Sequence, residues 1–392
     1  MSTPVGGGRF DIADIVRAHG AELKARHVLS RAQRRVLTDI AQCRTEALGG
    51  HVEQCTACGY ERPVYRSCRN RHCPKCQALT QEKWIEEQRQ RMLDMKHFHV
   101  VFTLPAQLRP LVAFAPRLLY DVLLRAAGRT LLEFGRRNLE ATLGATLVLH
   151  TWTRELSYHP HVHAIVTAGG LLNDGSSFRA LQGNYLFPVD NLATVLRAKL
   201  LDMLWRAHRN GAFACFDDFA DPEGFQRMVN RLPKSWNAYA KASFNKGEHV
   251  LQYLGRYTHR VGIANSRLLN VEHNAVTFRT KGSGTQTLHP VEFLHRLVQH
   301  VLPAGFHKIR HVGLYASVPK RDQARQLLDQ QPPPRSSETW QERLRRLTGR
   351  DILQCPRCHC VLRIRPLPNK NRLRALRWCR APPPSSTAAL AS

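Results

Sequence analysis

Acidic residues are scarce in this chain. Its 392 residues hold 30 Asp and Glu against 58 Lys and Arg, a formal charge of +28 and a pI near 10.4. A chain this positive attracts phosphates, so nucleic acid is the default partner. Long apolar runs are missing too. No stretch approaches the roughly 20 uninterrupted apolar residues that a membrane span requires, which excludes a membrane protein built on such spans. The opening MSTPVGGGRFDIADIVR has no apolar signal core, and the expected location is the cytoplasm, on the nucleoid. H-E-x-x-H is absent, which excludes that metalloprotease class, and no G-x-x-x-x-G-K-[ST] loop occurs, so the chain carries no nucleotide-driven motor of that kind. Internal repeats are lacking as well. What is present is 43% apolar residues over a length that suits two or three domains with a real core.

Cysteine is unevenly placed. Of 11 cysteines, five fall in HVEQCTACGYERPVYRSCRNRHCPKCQ: Cys55, Cys58, Cys68, Cys73 and Cys76. In a reducing compartment such spacing reads as metal ligation rather than disulfides. Two C-x2-C pairs supply four thiolates, Cys55, Cys58, Cys73 and Cys76, that can close tetrahedrally around Zn2+. Cys68, His51 and His72 remain as further candidate ligands, and the count stays open between one ion and two. Arg62, Arg66, Arg69, Arg71 and Lys75 on the same module would meet a phosphate backbone, Arg69, Arg71 and Lys75 foremost. A second group, LQCPRCHCVLRIR, offers Cys355, Cys358 and Cys360, with His359 or Cys379 to complete it. One knuckle alone is not a site.

Along the chain, residues 11–48 read as helix and 80–96 as a polar helix bridging to the next domain. Strand FHVVFTLP follows at 98–105, then a helical block over 106–140, and then TLGATLVLHTW, a strand that forms an antiparallel hairpin with SYHPHVHAIVT. Residues 190–241 look mostly helical, and NAVTFRT (274–280) and QTLHPVEFLHRLVQHVL suggest another strand and then a helix. The chain turns polar after about 320, with a QPPPRSS linker at 331–337 and a disordered end in APPPSSTAALAS.

The hairpin carries the chemistry. Period two throws His159, His161 and His163 onto one strand face, a poor way to build a core but a good half of a metal site. Downstream, KGEHVLQYLGRYTHRVGIANSRL read as a helix buries Val250, Leu254 and Val261 and turns His249, Arg256 and Arg260 to the opposite flank. Tyr253 and Tyr257, four apart, stack on the boundary between those faces, where Arg256 and Arg260 would hold phosphates. Gly255 between them argues mildly against the helix. His307-x2-Arg310 and His311 invite comparison with tyrosine recombinases, but no tyrosine follows Tyr315.

His161-Val162-His163 resembles the histidine–hydrophobe–histidine signature of the HUH endonucleases. More closely, HPHVHAIVTAGGL with YLGRYTHRVGIANSRLL, VTFRT and LPAGFHKIRHVGLYA resembles the two-tyrosine transposases of rolling-circle insertion sequences, and SCRNRHCPKCQ resembles their zinc-binding region. The likeness spans about 15–320. It implies an α+β fold, a ferredoxin-like antiparallel sheet with the histidines on a central strand, fused to an N-terminal helical and zinc-binding module. It implies single-stranded DNA at insertion-sequence ends as substrate, 5′-phosphotyrosine intermediates on Tyr253 and Tyr257, and Mg2+ or Mn2+ at the histidines. With no motor in the chain, a host helicase and the replication machinery would expose the strand.

The third ligand is argued from the hairpin. His150, eleven residues before His161, comes opposite Val162 across a turn near 156, and the H-x10-H-x-H pattern resembles the triad of conjugative relaxases. His159 precedes Pro160 and belongs to the turn, so His150, His161 and His163 are the expected metal ligands. The domains divide at 1–90, a DNA-binding module; 91–320, the nuclease; and 321–392, a basic Pro-rich tail with a partial cysteine cluster. The alternatives are a rolling-circle replication initiator or relaxase, and, from another class, a non-catalytic zinc-ribbon regulator that would leave the histidines and tyrosines unexplained.

Overall fold

Two capped helices begin the computed structural model, which describes residues 10–181, 183, 186–216, 219–244, 255 and 262–367. Helix α1 (Ile12–Arg26) starts where the Asp11 side chain accepts from the Ala13 N–H. Helix α2 (Arg31–Gln42) starts at a capping box between Ser30 and Gln33. These caps split what the sequence presents as one helix over 11–48. After them come β1 (Gly50–Gln54), β2 (Glu61–Tyr65), α3 (Ala78–Arg91), β3 (His97–Thr103), α4 (Arg109–Phe114) and α5 (Pro116–Leu139). The chain continues through β4 (Ala141–Trp152), β5 (Tyr158–Leu172), β6 (Phe178–Ala180), α6 (Val189–Arg209), α7 (Pro222–Arg231) and β7 (Ala238–Phe244). Beyond the tyrosine segment follow β8 (Leu268–Val271), β9 (Val276–Arg279), β10 (Thr285–Leu288), α8 (Pro290–Gln299), β11 (Ile309–Gly313), α9 (Val318–Leu327), α10 (Trp340–Thr348) and β12 (Arg363–Leu367).

The central sheet runs β11-β4-β5-β3-β7, antiparallel at every pairing, with β6 joined to β5. Its connections are β3–α5–β4, a hairpin to β5, and α6–α7 to β7. Each helical crossover therefore joins two strands that have a third between them, which is the ferredoxin-like arrangement expected. The edge strand β7 begins inside 190–241, where the sequence reads as mostly helical. Its alternation of small and polar residues is too weak a signal by itself, and pairing with β3 decides it.

Alternation divides the sheet into two faces. Phe98, Val100 and Phe102 of β3, Leu147 and Leu149 of β4, and Val162, Ala164 and Val166 of β5 are buried in one cluster with Leu119, Leu123 and Leu131 of α5 and Leu196 and Leu200 of α6. Burying each large side chain there stabilises the fold by about 1.5–3 kcal/mol. That face sets the register, and register fixes what the other face presents. On the other face, Val148 of β4 and Ile165 of β5 pack with Trp84 of α3 and Tyr315.

Helices α1 and α2 share a core with β8, β9 and α8 through Ile12, Leu37, Ile40, Phe278, Phe293 and Leu294, and Gln33 donates to the Val298 carbonyl at 3.0 Å. The tail also returns: β12 adds to the N-terminal ribbon in the order β12-β1-β2. Local sequence carries neither long-range pairing. Among the described residues no helix is long and apolar enough to cross a membrane.

Candidate functional site

Three clusters of metal-ligating side chains occur among the described residues. The first is His150, His161 and His163, whose candidate ligand atoms all lie within 4.8 Å of one another. The predicted triad is thus brought together, by a different register from the one expected. His150 stands opposite His161, and Leu149 opposite Val162. The pairing shifts between His150 and Trp152, where β5 carries Pro160, which has no N–H to give the ladder. Opposite residues share a face, so partnership with Val162 would have aimed His150 into the core.

The rings of the triad are set at steep angles: 84° between His150 and His161, 52° between His150 and His163, and 63° between His161 and His163. Two of them are anchored through Nδ1. His161 Nδ1 lies 2.6 Å from the His159 carbonyl oxygen and donates to it, which leaves Nε2 as the lone-pair donor. His163 Nδ1 lies 2.7 Å from Nε2 of His99 on β3, and these two rings stack 5.0 Å apart. Burial pushes His161 and His99 down to about 4 and holds His150 and His163 well below the ordinary imidazole value. All four are neutral at pH 7, the form that ligates a cation. His159 gives the cluster its carbonyl and not its ring.

His99 is the residue the sequence reading missed. Its signal was available, since HFHVVFT alternates like β5, but nothing local shows that β3 pairs with β5 and sets Val101 opposite His163. By holding the His163 ring it would act at one remove on a cation bound there. His99→Ala is therefore expected to weaken divalent-cation binding about 10–100-fold, readable by titration calorimetry. Unchanged affinity would show the His99–His163 contact to be packing alone. Lys308 was missed as well. It is buried and pushed by that burial down to about 7, with Nζ 5.9 Å from the centre of the Trp152 ring that stacks on His150.

The predicted four-cysteine set is divided between two clusters. Cys73 and Cys76 join Cys43 and Cys68, while Cys55 and Cys58 join Cys355 and Cys358. The zinc count left open by spacing thus has two places to go, and Cys68 enters one of them. Cys43, twenty-five residues from Cys68 and at the C-cap of α2, has no spacing signal; helix packing brings it in. The donor set fits zinc. Cys68 Sγ and Cys76 Sγ are 3.5 Å apart, and shared hydrogen bonds drive neighbouring thiols in opposite directions, Cys43 down through Cys68 and Cys73 up through Cys43. Sulfurs so close cannot all ionise without a counter-charge such as a divalent cation. His72 is not a ligand here: its ring bonds Asn70 Oδ1 at 3.0 Å and accepts from the Leu302 N–H at 3.2 Å. His51 stands 4.0 Å from Glu53 and outside both clusters.

Two of the expected phosphate contacts are otherwise engaged. Arg71 donates to the carbonyls of Phe306 and Pro303 at 2.8 and 3.2 Å, and Lys75 pairs with Asp11 at 2.5 Å. They fasten the cysteine loop to the rest of the chain, whereas Arg69 is exposed. Tyr253, Tyr257, Arg256 and Arg260 lie outside the described residues, as does Cys379. Gly255 between the tyrosines is described. It is helical and buried, and a Cβ there would come 2.6 Å from Ile85 Cδ1 of α3. A side chain at 255 would require Ile85 to shift.

Comparison with known proteins places the chain among transposases. Residues 144–322 match the family model described as "Putative transposase", and residues 15–104 the one described as "Transposase zinc-binding domain". The chain is 40% identical over 369 residues to the putative transposase y4qJ of Sinorhizobium fredii, covering 89% of this chain and 93% of that one. It is 30% identical over 296 residues to the transposase for insertion sequence element IS801 of Pseudomonas savastanoi pv. phaseolicola, 72% of this chain and 70% of the relative. A solved structure, the metal-free conjugative relaxase TrwC in complex with OriT DNA, is 19% identical, with 41% of this chain and 71% of that one covered and a TM-score of 0.20. The histidine triad and thiol clusters occur in a chain that matches these transposases over most of its length, and the chain belongs to the two-tyrosine family of insertion-sequence transposases, zinc-binding domain included.

Proposed function

We propose that this transposase cuts and rejoins single-stranded DNA at insertion-sequence ends, with Tyr253 and Tyr257 as nucleophiles and a divalent cation, Mg2+ or Mn2+, at His150, His161 and His163. The observation that carries this reading is the convergence of three neutral imidazoles, His150 buried and His161 and His163 half-buried, on one patch of the sheet. When bound, the cation polarises the scissile phosphate. The imidazoles orient it, and their own orientation is held by the His159 carbonyl and His99. A phenol, with an ordinary pKa of about 10, is a weak nucleophile at neutral pH, so positioning has to supply much of the rate.

In the first step the tyrosine oxygen bonds to phosphorus and the P–O3′ bond breaks. The phenol proton is lost and the departing 3′ oxygen takes up a proton. The phosphotyrosine ester conserves the energy of the broken bond, so attack by a 3′-hydroxyl reverses the step without ATP. Gly255 supports the placement of the tyrosines. It abuts Ile85 of α3, and α3 lies on the histidine face, since Trp84 packs with Val148 and Ile165. Each tyrosine is two residues from Gly255, a Cα reach of no more than about 7.6 Å. Exposure of the strand falls to a host helicase in the cytoplasm.

The test is incubation with single-stranded fragments of the element ends and Mg2+ or Mn2+, resolved on denaturing gels. Wild-type protein is expected to give a covalent adduct and a fragment ending in a 3′-hydroxyl. His163→Ala should lose both while still retarding the DNA on native gels. Nicking by His163→Ala at the wild-type rate would remove the triad from the mechanism, and a wild-type protein that binds without cutting would favour a zinc-ribbon regulator.

A further inference from the structure

Neither family match reaches beyond residue 322, yet the chain beyond it carries an ordered C-x2-C knuckle. We propose that Cys55 and Cys58 of the N-terminal ribbon and Cys355 and Cys358 of the C-terminal arm hold a second zinc ion, which staples the two ends of the chain into one ribbon around the inserted nuclease. The four sulfurs lie within 4.8 Å of one another, with Cys55 to Cys358 at 3.4 Å and Cys58 to Cys355 at 3.5 Å. Sulfurs placed tetrahedrally at the usual Zn–S length of about 2.3 Å are roughly 3.8 Å apart.

The knuckles are built alike. In the first, the Cys55 N–H donates to the Tyr60 carbonyl at 2.8 Å and the Gly59 N–H to the Cys55 carbonyl at 3.1 Å. In the second, the Cys355 N–H donates to the Cys360 carbonyl at 2.8 Å and the His359 N–H to the Cys355 carbonyl at 3.0 Å. The residue after the second cysteine has a positive φ in each, 69° at Gly59 and 61° at His359. Such a conformation is unfavourable for histidine unless the surroundings impose it. Two equivalent half-sites facing each other make a four-thiolate zinc centre, not a chance meeting of thiols.

The arm is also fitted to the ribbon on either side of the site. Strand β12 pairs with β1 from Gly50↔Leu367 to Gln54↔Arg363. Buried Glu53 of β1 receives Arg350 at 2.7 Å and Arg62 at 3.2 Å, and the Arg357 guanidinium sits 5.5 Å from the centre of the Tyr60 ring. Cys360 is exposed and outside the cluster, so it serves as a control.

The experiment uses the full chain, purified under reducing conditions, with zinc counted by elemental analysis. Wild type and Cys360→Ser should carry two zinc ions per chain. Cys355→Ser combined with Cys358→Ser should carry one and become open to limited proteolysis within 350–367, and Cys58→His, which keeps a zinc-binding side chain, should retain two. Titration of metal-free wild-type protein with Co2+ should show two four-thiolate sites by their charge-transfer bands, a readout independent of whether any variant folds. A single site in that titration, two zinc ions retained by the double variant, or a Cys55–Cys358 disulfide found by mass spectrometry in the reduced preparation would overturn the proposal.

Discussion

Replacing both tyrosines, Tyr253→Phe with Tyr257→Phe, is expected to abolish the covalent protein–DNA adduct, while each single replacement retains some nicking of a single end and loses transposition in cells. The reason is a matter of counting. Transfer of a strand from an element requires one cleavage at its origin end and another at its terminus, and the first 5′ end has to stay attached until the second is cut. One phenol cannot hold the first phosphate and attack the second. Two, four residues apart in sequence, could do so in turn. Phenylalanine keeps the ring and removes only the nucleophilic oxygen, so folding and DNA retention should be unaffected. Labelled end fragments on denaturing gels and a mating-out assay give the two readouts. Wild-type transposition by either single variant would reduce one tyrosine to a structural part.

The second large effect concerns Cys43. Cys43→Ser should release one zinc ion per chain and unfold the N-terminal helical unit, although no spacing rule marks this residue as a ligand. Cys43 and Cys73 are buried in the same core as Ile12, Leu37, Phe278 and Phe293, so a zinc ion held between them would tie the end of α2 to the cysteine loop. Structural zinc supplies roughly 10–16 kcal/mol of apparent folding energy in zinc-finger peptides, as large as the 5–15 kcal/mol that typically separates a whole domain from its unfolded state. The loss should therefore appear as aggregation or a lost near-ultraviolet dichroism signal together with the fall in zinc. Cys73→Ser should behave the same way. A Cys43→Ser protein with full zinc content and an unchanged melting temperature would remove Cys43 from the site.

Local pattern carried a good deal of this molecule. The period of two in SYHPHVHAIVT was enough to put His161 and His163 on one face, and H-x10-H-x-H was enough to choose His150, because a hairpin is a local structure. The register was off by one residue, since Pro160 forces an irregularity that no count of turn residues reveals. His99 was out of reach for a different reason: strand β3 meets β5 only through the topology of the sheet. The same holds for the cysteines. Their types and knuckles were evident, but the two nearest C-x2-C pairs belong to different sites, and the partners that separate them come from α2 and from the far end of the chain. Charge was the least specific guide. Arg71 and Lys75 add to the total of +28, yet both are spent on internal contacts.

The pairing of β1 with β12 bears on how the protein is made. Gly50 leaves the ribosome early and its partner Leu367 late; at about 5–20 residues per second the interval is roughly 15 to 60 s. Throughout that time β1 has one unpaired edge, while the strands of the nuclease sheet are synthesised and can pair among themselves. The finished ribbon therefore follows the finished nuclease in time. A chain that stops short of residue 350 would keep His150, His161, His163, Tyr253 and Tyr257 but only half of its second thiol cluster.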